Sequence, residues 1–203
     1  MKLNKIQTLF WDFDGVIMDS NIVRDRGFEE VLKDYPETEV DALMVFHRDN
    51  GGLSRYVKFR HFFEDIRGES ITDAEVQKWA DKFSGIMMQL LIDPNLLIQE
   101  TLDFIKANAH QYNMHIVSGS DQTELRQICK SLDIGKYFNS IHGSPTPKND
   151  LVGALLEDQS YDKNTCLLIG DSKNDYEAAK VNGIQFMGYG NEKIKANSDY
   201  KLF

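Results

Sequence analysis

From Met114 onward the chain switches repeatedly between two hydrophobic periods, and few folds accommodate that pattern. Met114–Val117, Asn139–His142, Cys166–Ile169 and Ile184–Met187 read as short strands. Asp121–Leu132, Lys148–Glu157 and Asp175–Val181, between them, carry helical spacing. Strands separated by helices build right-handed parallel βαβ units, which assemble into an open sheet with helices on both faces. An earlier run, Ile6–Trp11, has the same buried-strand character but stands far from the others in sequence.

From Ser20 to Asp93 only helical patterns appear. Ser20 reads as the cap of a first helix reaching about Lys33. Pro36-Glu37-Thr38 opens a second, with Thr38-x-x-Asp41 resembling a capping box. Gly51-Gly52 breaks the chain, and Leu53–Ile66 follows with Tyr56, Phe59, Phe62 and Phe63 at helical spacing, the expected core of this segment. Thr72-x-x-Glu75 caps a helix to about Ile92; Pro94 punctuates the chain, and another helix runs to about Ala107. The expected fold is α/β, a Rossmann-like open parallel sheet with an all-helical cap inserted after the first strand. Residues 1–19 and 94–203 form the catalytic core and 20–93 the cap. Ligands of such sheets bind at the carboxyl ends of the strands, and the insertion leaves from one of those ends.

Charge and cysteine content narrow the function. Against 23 basic residues stand 32 acidic ones, a net charge of −9, which argues against nucleic acid or an anionic membrane surface as partner. Cys129 and Cys166 are too far apart for a metal pattern or a disulfide framework. No apolar run is long enough to span a membrane, and Met1–Lys5 leads into no secretory signal. The expected location is the cytoplasm; the oligomeric state stays open.

Each strand end carries polar residues. Asp12-Phe13-Asp14-Gly15-Val16 follows the first strand and Ser118-Gly119-Ser120-Asp121 the second. Lys148 comes after Pro145-Thr146-Pro147, and Gly170-Asp171-Ser172-Lys173-Asn174-Asp175 after the fourth strand. One rim would then gather several carboxylates, a hydroxyl and an ammonium. Clustered carboxylates raise one another's pKa unless a cation neutralises them, and hard oxygen ligands suit Mg²⁺. With an ammonium and a hydroxyl for an anion, the set points to phosphoryl transfer. One Asp would be the covalent nucleophile and a second would handle the leaving-group proton. Simpler roles exist for some of these groups: Asp12 and Asp14 as turn residues, Asp121-x-x-Glu124 as a capping box, and Asp171 and Asp175 as acids near a helix N-terminus. Lys148 fits none of them, since a cation at a helix start opposes the dipole. The five histidines form no cluster and read as structural or solvated.

The four segments resemble, in order and over nearly the whole chain, the four motifs of the haloacid dehalogenase superfamily. Asp171-Ser172-x-Asn174-Asp175-x-x-Ala178-Ala179 is similar to the phosphoglycolate-phosphatase and β-phosphoglucomutase branch. The resemblance implies that Asp12 is the nucleophile and Asp14 the general acid/base. Mg²⁺ would be bound by the side chains of Asp12 and Asp171 and the backbone carbonyl of Asp14, with Asp175 as a ligand or acting through water. Ser118, Lys148 and the amides of Phe13 and Gly119 would hold the phosphoryl oxygens. A second Asp in the first motif disfavours a dehalogenase, because a halide needs no proton to leave, and the first motif also differs from that of the phosphonatase branch.

The implied function is hydrolysis of a small phosphorylated metabolite. The alternative is a sugar phosphomutase using the same nucleophile, and a silent binding module is a third reading. Mutases carry a His in the first cap helix where Arg24 stands here, which favours hydrolysis. His47-Arg48-Asp49-Asn50-Gly51-Gly52-Leu53-Ser54-Arg55 is the expected specificity segment. Gly52-Leu-Ser-Arg55 is similar to a β-phosphoglucomutase segment whose Arg holds a substrate phosphate. Arg48, Arg55 and Arg24 are accordingly expected to face the substrate, with Arg26 as a further candidate.

Overall fold

The computed structural model describes residues 5–199. Its sheet contains β1 (Thr8–Trp11), β2 (Asn113–Asp121), β3 (Ser140–Ser144), β4 (Cys166–Gly170) and β5 (Gln185–Gly188). All pair in parallel, in the order β3-β2-β1-β4-β5. Central β1 aligns Trp11 with Ile116 on one side and Ile169 on the other. That register brings the segments after Trp11, Val117 and Ile169 to a single rim.

Strand alternation divides the core in two. Leu9, Trp11, Ile116, Leu167 and Ile169 face one side, in an apolar cluster that continues into the helical insertion through Phe28, Phe59, Phe83 and Met87. Phe10, Val117, Leu168 and Phe186 face the other, against Leu155, Ala178 and Ala179. Each large side chain so buried contributes about 1.5–3 kcal/mol.

The insertion holds α1 (Asn21–Val31), α2 (Glu37–Asp49), α3 (Arg55–His61) and α4 (Asp73–Leu90). Helices α5 (Gln99–Asn108), α6 (Gln122–Ser131), α7 (Lys148–Asp158), α8 (Lys173–Asn182) and α9 (Glu192–Lys195) complete the chain. The Thr72–Glu75 capping box forms as expected. The one expected at Thr38 does not: α2 starts at Glu37 with Pro36 at the N-cap, so Thr38 already lies inside the first turn. After α3 the helix widens into a π-helical turn, Phe62–Ile66, which buries both Phe62 and Phe63. Phe59 is buried with them, whereas Tyr56 is only half-buried and donates its hydroxyl to Asp121 at 2.7 Å. Nor does one helix run from Pro94. A 3-10 turn, Pro94–Leu96, gives way to extended backbone at Leu97, which bridges Met18 before α5 begins. Asp19 N–H also donates to Leu96 O at 2.7 Å and Ile98 N–H to Ile17 O at 2.9 Å. The two strands of chain that enter and leave the insertion are thereby held side by side. Among the described residues no helix is long and apolar enough to cross a membrane.

Candidate functional site

Asp12 is the first residue past β1, its N–H donating to Ile169 O at 2.9 Å. The chain turns at once: the N–H groups of Ile17 and Met18 both donate to Phe13 O, at 2.9 and 3.0 Å. Gly15 carries φ +75°, and a Cβ there would overlap the Asp171 carboxylate. Only glycine meets both demands.

Lys148, the first residue of α7, lies 2.8 Å through Nζ from Asp12 Oδ1 and also pairs with Asp175. All three are buried. The ammonium that the helix dipole disfavours is thus held by two carboxylates. Burial works against its charge, but Asp12 and Asp175 outweigh that and hold its pKa above the usual lysine range. Asp175 closes a capping box with Ser172, accepting from Ser172 N–H at 3.0 Å and Ser172 Oγ at 2.5 Å. Asp171 accepts from Asn21 Nδ2 at 3.4 Å.

One carboxylate oxygen from each of Asp12, Asp171 and Asp175 lies within 4.8 Å of the others. Burial first, then Asp175, push the Asp12 carboxyl well above the usual carboxylate range, and Lys148 offsets only part of that. Burial and Asp175 likewise push Asp171 up to about 7. A site of hard oxygen donors that resist ionising together suits a divalent cation.

The Asp14 carboxylate has other partners. It accepts from Arg24 Nε at 2.5 Å, from Ser20 Oγ and from Ser120 Oγ. Burial would raise its pKa, but the Arg24 guanidinium and the two hydroxyls overcome that and hold it below the ordinary value. Ser20 does occupy the N-cap of α1, yet it makes no capping hydrogen bond; its hydroxyl serves Asp14 instead. Ser118 is buried on the cavity wall and accepts from Ser120 N–H at 3.1 Å. Ser120 escaped the sequence reading, although its signal was there: in a strand, residues two apart share a face.

A cavity of about 640 Å³ contains Asp12, Asp14, Ser118, Gly119 and Asp171, and the insertion forms its far lining. Each of the arginines expected to face the substrate has a carboxylate partner within the protein, as the buried Arg24 and Arg55 require, because a buried guanidinium needs an anion. Arg55 makes a bidentate pair with Glu124 at 2.7 and 2.8 Å and a bond to Ser84 Oγ at 2.6 Å. Arg24 reaches Glu124 at 3.0 Å as well as Asp14. Arg48 pairs with Asp25 at 2.9 Å. All three line the cavity, while Arg26 is exposed and does not. Glu124 explains why the Asp121 capping box is only half formed: Asp121 accepts from Glu124 N–H, but the Glu124 carboxylate is taken by the arginines. His47, expected to be structural or solvated, lines the cavity and sets Nε2 3.0 Å from Asp25.

The insertion is seated on the rim. Asn174 Nδ2 donates to Gly52 O at 2.9 Å, and a Cβ on Gly119 would overlap that same carbonyl. The Gly51-Gly52 break is therefore a contact point as well as a helix breaker.

The family model of haloacid dehalogenase-like hydrolases matches residues 9–189. The phosphoglycolate phosphatase of Colwellia psychrerythraea is 25% identical over 201 residues, covering 93% of this chain and 86% of that protein. The 5'-nucleotidase of Pseudomonas aeruginosa is 21% identical over 187 residues, covering 90% and 81%. The crystal structure of β-phosphoglucomutase from Clostridium difficile has a similar fold, with a TM-score of 0.73 at 17% identity over 98% of this chain and 91% of that one. The family match runs from inside β1 to just past β5, taking in every strand end that bears a carboxylate or the lysine, and on that basis the chain belongs to the haloacid dehalogenase-like hydrolases.

Proposed function

We propose that this hydrolase is a Mg²⁺-dependent phosphatase of the cytoplasm that hydrolyses a small phosphorylated metabolite through an aspartyl phosphate on Asp12. What supports it above all is the buried Asp12 carboxylate, 2.8 Å from the Lys148 ammonium and within metal-sharing distance of Asp171. The Asp12 carboxylate attacks phosphorus, the bond from phosphorus to the ester oxygen breaks, and Asp14 gives a proton to the departing alkoxide. Water then attacks phosphorus as the bond to the Asp12 oxygen breaks, Asp14 takes a proton from the water, and inorganic phosphate leaves with the Asp12 carboxylate restored. Arg24 favours the carboxylate form of Asp14, the form required in that second step.

Lys148, Ser118 and the amides of Phe13 and Gly119 orient the phosphoryl oxygens. Asp12 and Asp171 would hold Mg²⁺ by side chain and Asp14 by its carbonyl, with Asp175 behind them. When bound, the ion supplies positive charge to the carboxylates and the phosphoryl oxygens. A phosphomutase needs a second phosphate clamp. Arg55, the candidate for it, is committed to Glu124, which favours hydrolysis.

The test is hydrolysis of p-nitrophenyl phosphate with and without Mg²⁺, in wild type and Asp12→Asn. The amide is nearly isosteric but cannot attack phosphorus, so turnover falls to background while the secondary structure, read by circular dichroism, is kept. Substantial Mg²⁺-dependent turnover by Asp12→Asn would exclude the covalent route.

A further inference from the structure

The part of the cavity under the insertion has a local excess of positive charge, in a chain whose net charge is −9. Arg24, Arg55 and Lys58 meet there with Asp14 and Glu124 between them, three cations to two carboxylates, while Asp49, the other acidic residue of this part of the lining, is exposed. Arg48 and Asp25 balance each other. The cation left over is Lys58. It is 3% exposed, lines the cavity, and donates to Gly51 O at 3.2 Å, with Nζ 5.8 Å from the centre of the Phe28 ring. No ion pair links it to a carboxylate among the described residues.

A buried charge without a counter-charge is expensive, and it usually sheds its proton or finds an anion. Burial, followed by the charge of Arg24, pulls the Lys58 pKa down to about 7. His47 does not complete the set as a donor. Its Nε2 faces Asp25, and burial followed by the charge of Lys58 pulls its pKa down to about 4, so its Nδ1 is an acceptor. The unmet demand in this wall is for a single small anion. The phosphoryl group undergoing transfer has its own donors at the rim, so this anion must belong to the rest of the substrate.

We infer that Lys58 binds a second anionic group carried by the leaving alcohol, which makes the substrate a phosphate monoester of a carboxylate-bearing or already phosphorylated small molecule. The inference presupposes the phosphatase activity proposed above. It assigns specificity to Lys58 in place of Arg55, whose guanidinium is held by Glu124.

The test compares kcat/KM, with Mg²⁺ present, for three esters of similar size: 2-phosphoglycolate, propane-1,3-diol bisphosphate and ethyl phosphate. Wild type is expected to prefer one of the two anionic esters over ethyl phosphate, and whichever is preferred identifies the anion. In Lys58→Met that preference ratio falls roughly ten- to hundredfold, the size of a lost charge-assisted contact, chiefly through KM. Lys58→Arg, which keeps the charge, regains part of it. Should Lys58→Met fail to fold, Lys58→Gln reads out the same ratio. A wild type that prefers ethyl phosphate, or a ratio unmoved by removing the charge, overturns the inference while leaving the phosphatase activity intact. A wild type inert toward all three esters and toward p-nitrophenyl phosphate overturns the activity itself, and the inference with it.

Discussion

At the rim of the sheet, burial and mutual repulsion push the carboxyl groups of Asp12 and Asp171 up, Asp171 to about 7. An unfolded Asp titrates near 4, so between about pH 4 and 7 the metal-free native state binds more protons than the unfolded chain. Its stability therefore falls as pH rises through that window. A divalent cation reverses the balance by competing with those protons. Thermal unfolding should show a larger gap between Mg²⁺ and EDTA at pH 8 than at pH 5. At a Mg²⁺ concentration of 100 times Kd the stabilisation is about 2.7 kcal/mol. Asp171→Asn should be more stable than wild type in EDTA at pH 8. Identical melting with Mg²⁺ and EDTA at pH 8 would remove the metal from this site. Asp12, Asp14, Lys148, Asp171 and Asp175 were legible because each lies within five residues of a strand's end, in the segment that follows it, and a parallel sheet brings such segments together. Ser20 and Glu124 were not. Their sequence contexts match helix caps, and only the seated insertion diverts Ser20 to Asp14 and Glu124 to the arginines.

Among the elements, α1, α3 and α6 are tied through one side chain. Glu124 on α6 is buried and accepts from Arg24 of α1 and Arg55 of α3. Breaking a buried ion pair from one side leaves an uncompensated charge, at about 3–5 kcal/mol. Glu124→Ala would strand part of the bonding of two guanidinium groups, so an unfolding free energy from urea titration lowered by that amount is expected, with a smaller loss for Glu124→Gln. A loss under about 1 kcal/mol would mean that water satisfies these arginines. The strands and most helices could be read from period alone, because alternation and 3.6-residue spacing are enforced by the two apolar clusters. Helix starts were harder. Thr38 carries capping chemistry but lies two residues past the N-cap, and Leu97 is extended because it bridges Met18, a contact between segments far apart in sequence.

For the molecule as a whole, function depends on how the insertion sits on the sheet. Its apolar side is continuous with one face of the core, Arg24, Arg55 and Tyr56 tie it to Asp14, Glu124 and Asp121, and its backbone meets the rim at Gly52. That carbonyl accepts from Asn174 and lies against Gly119, between the strand ends that bear Ser118 and Asp171. Closure of this kind excludes water and strengthens each charge interaction inside. It also places Lys58 and Arg24 over the same cavity as Asp12. Gly119 offers a clean way to disturb it, because alanine keeps the backbone N–H and adds only a methyl group. That methyl would overlap the Gly52 carbonyl, so the insertion must lift for the variant to fold. The sheet, Asp12 and Lys148 lie outside the clash, and secondary structure should be kept. Misplacing substrate-positioning groups by about 1 Å costs on the order of 10²-fold in rate. Gly119→Ala should therefore lose activity on that scale, with faster amide hydrogen exchange at residues 50–54, while Asp12 stays in place by crystallography. Full activity and unchanged exchange in Gly119→Ala would show that the Gly52 contact is dispensable for seating the insertion.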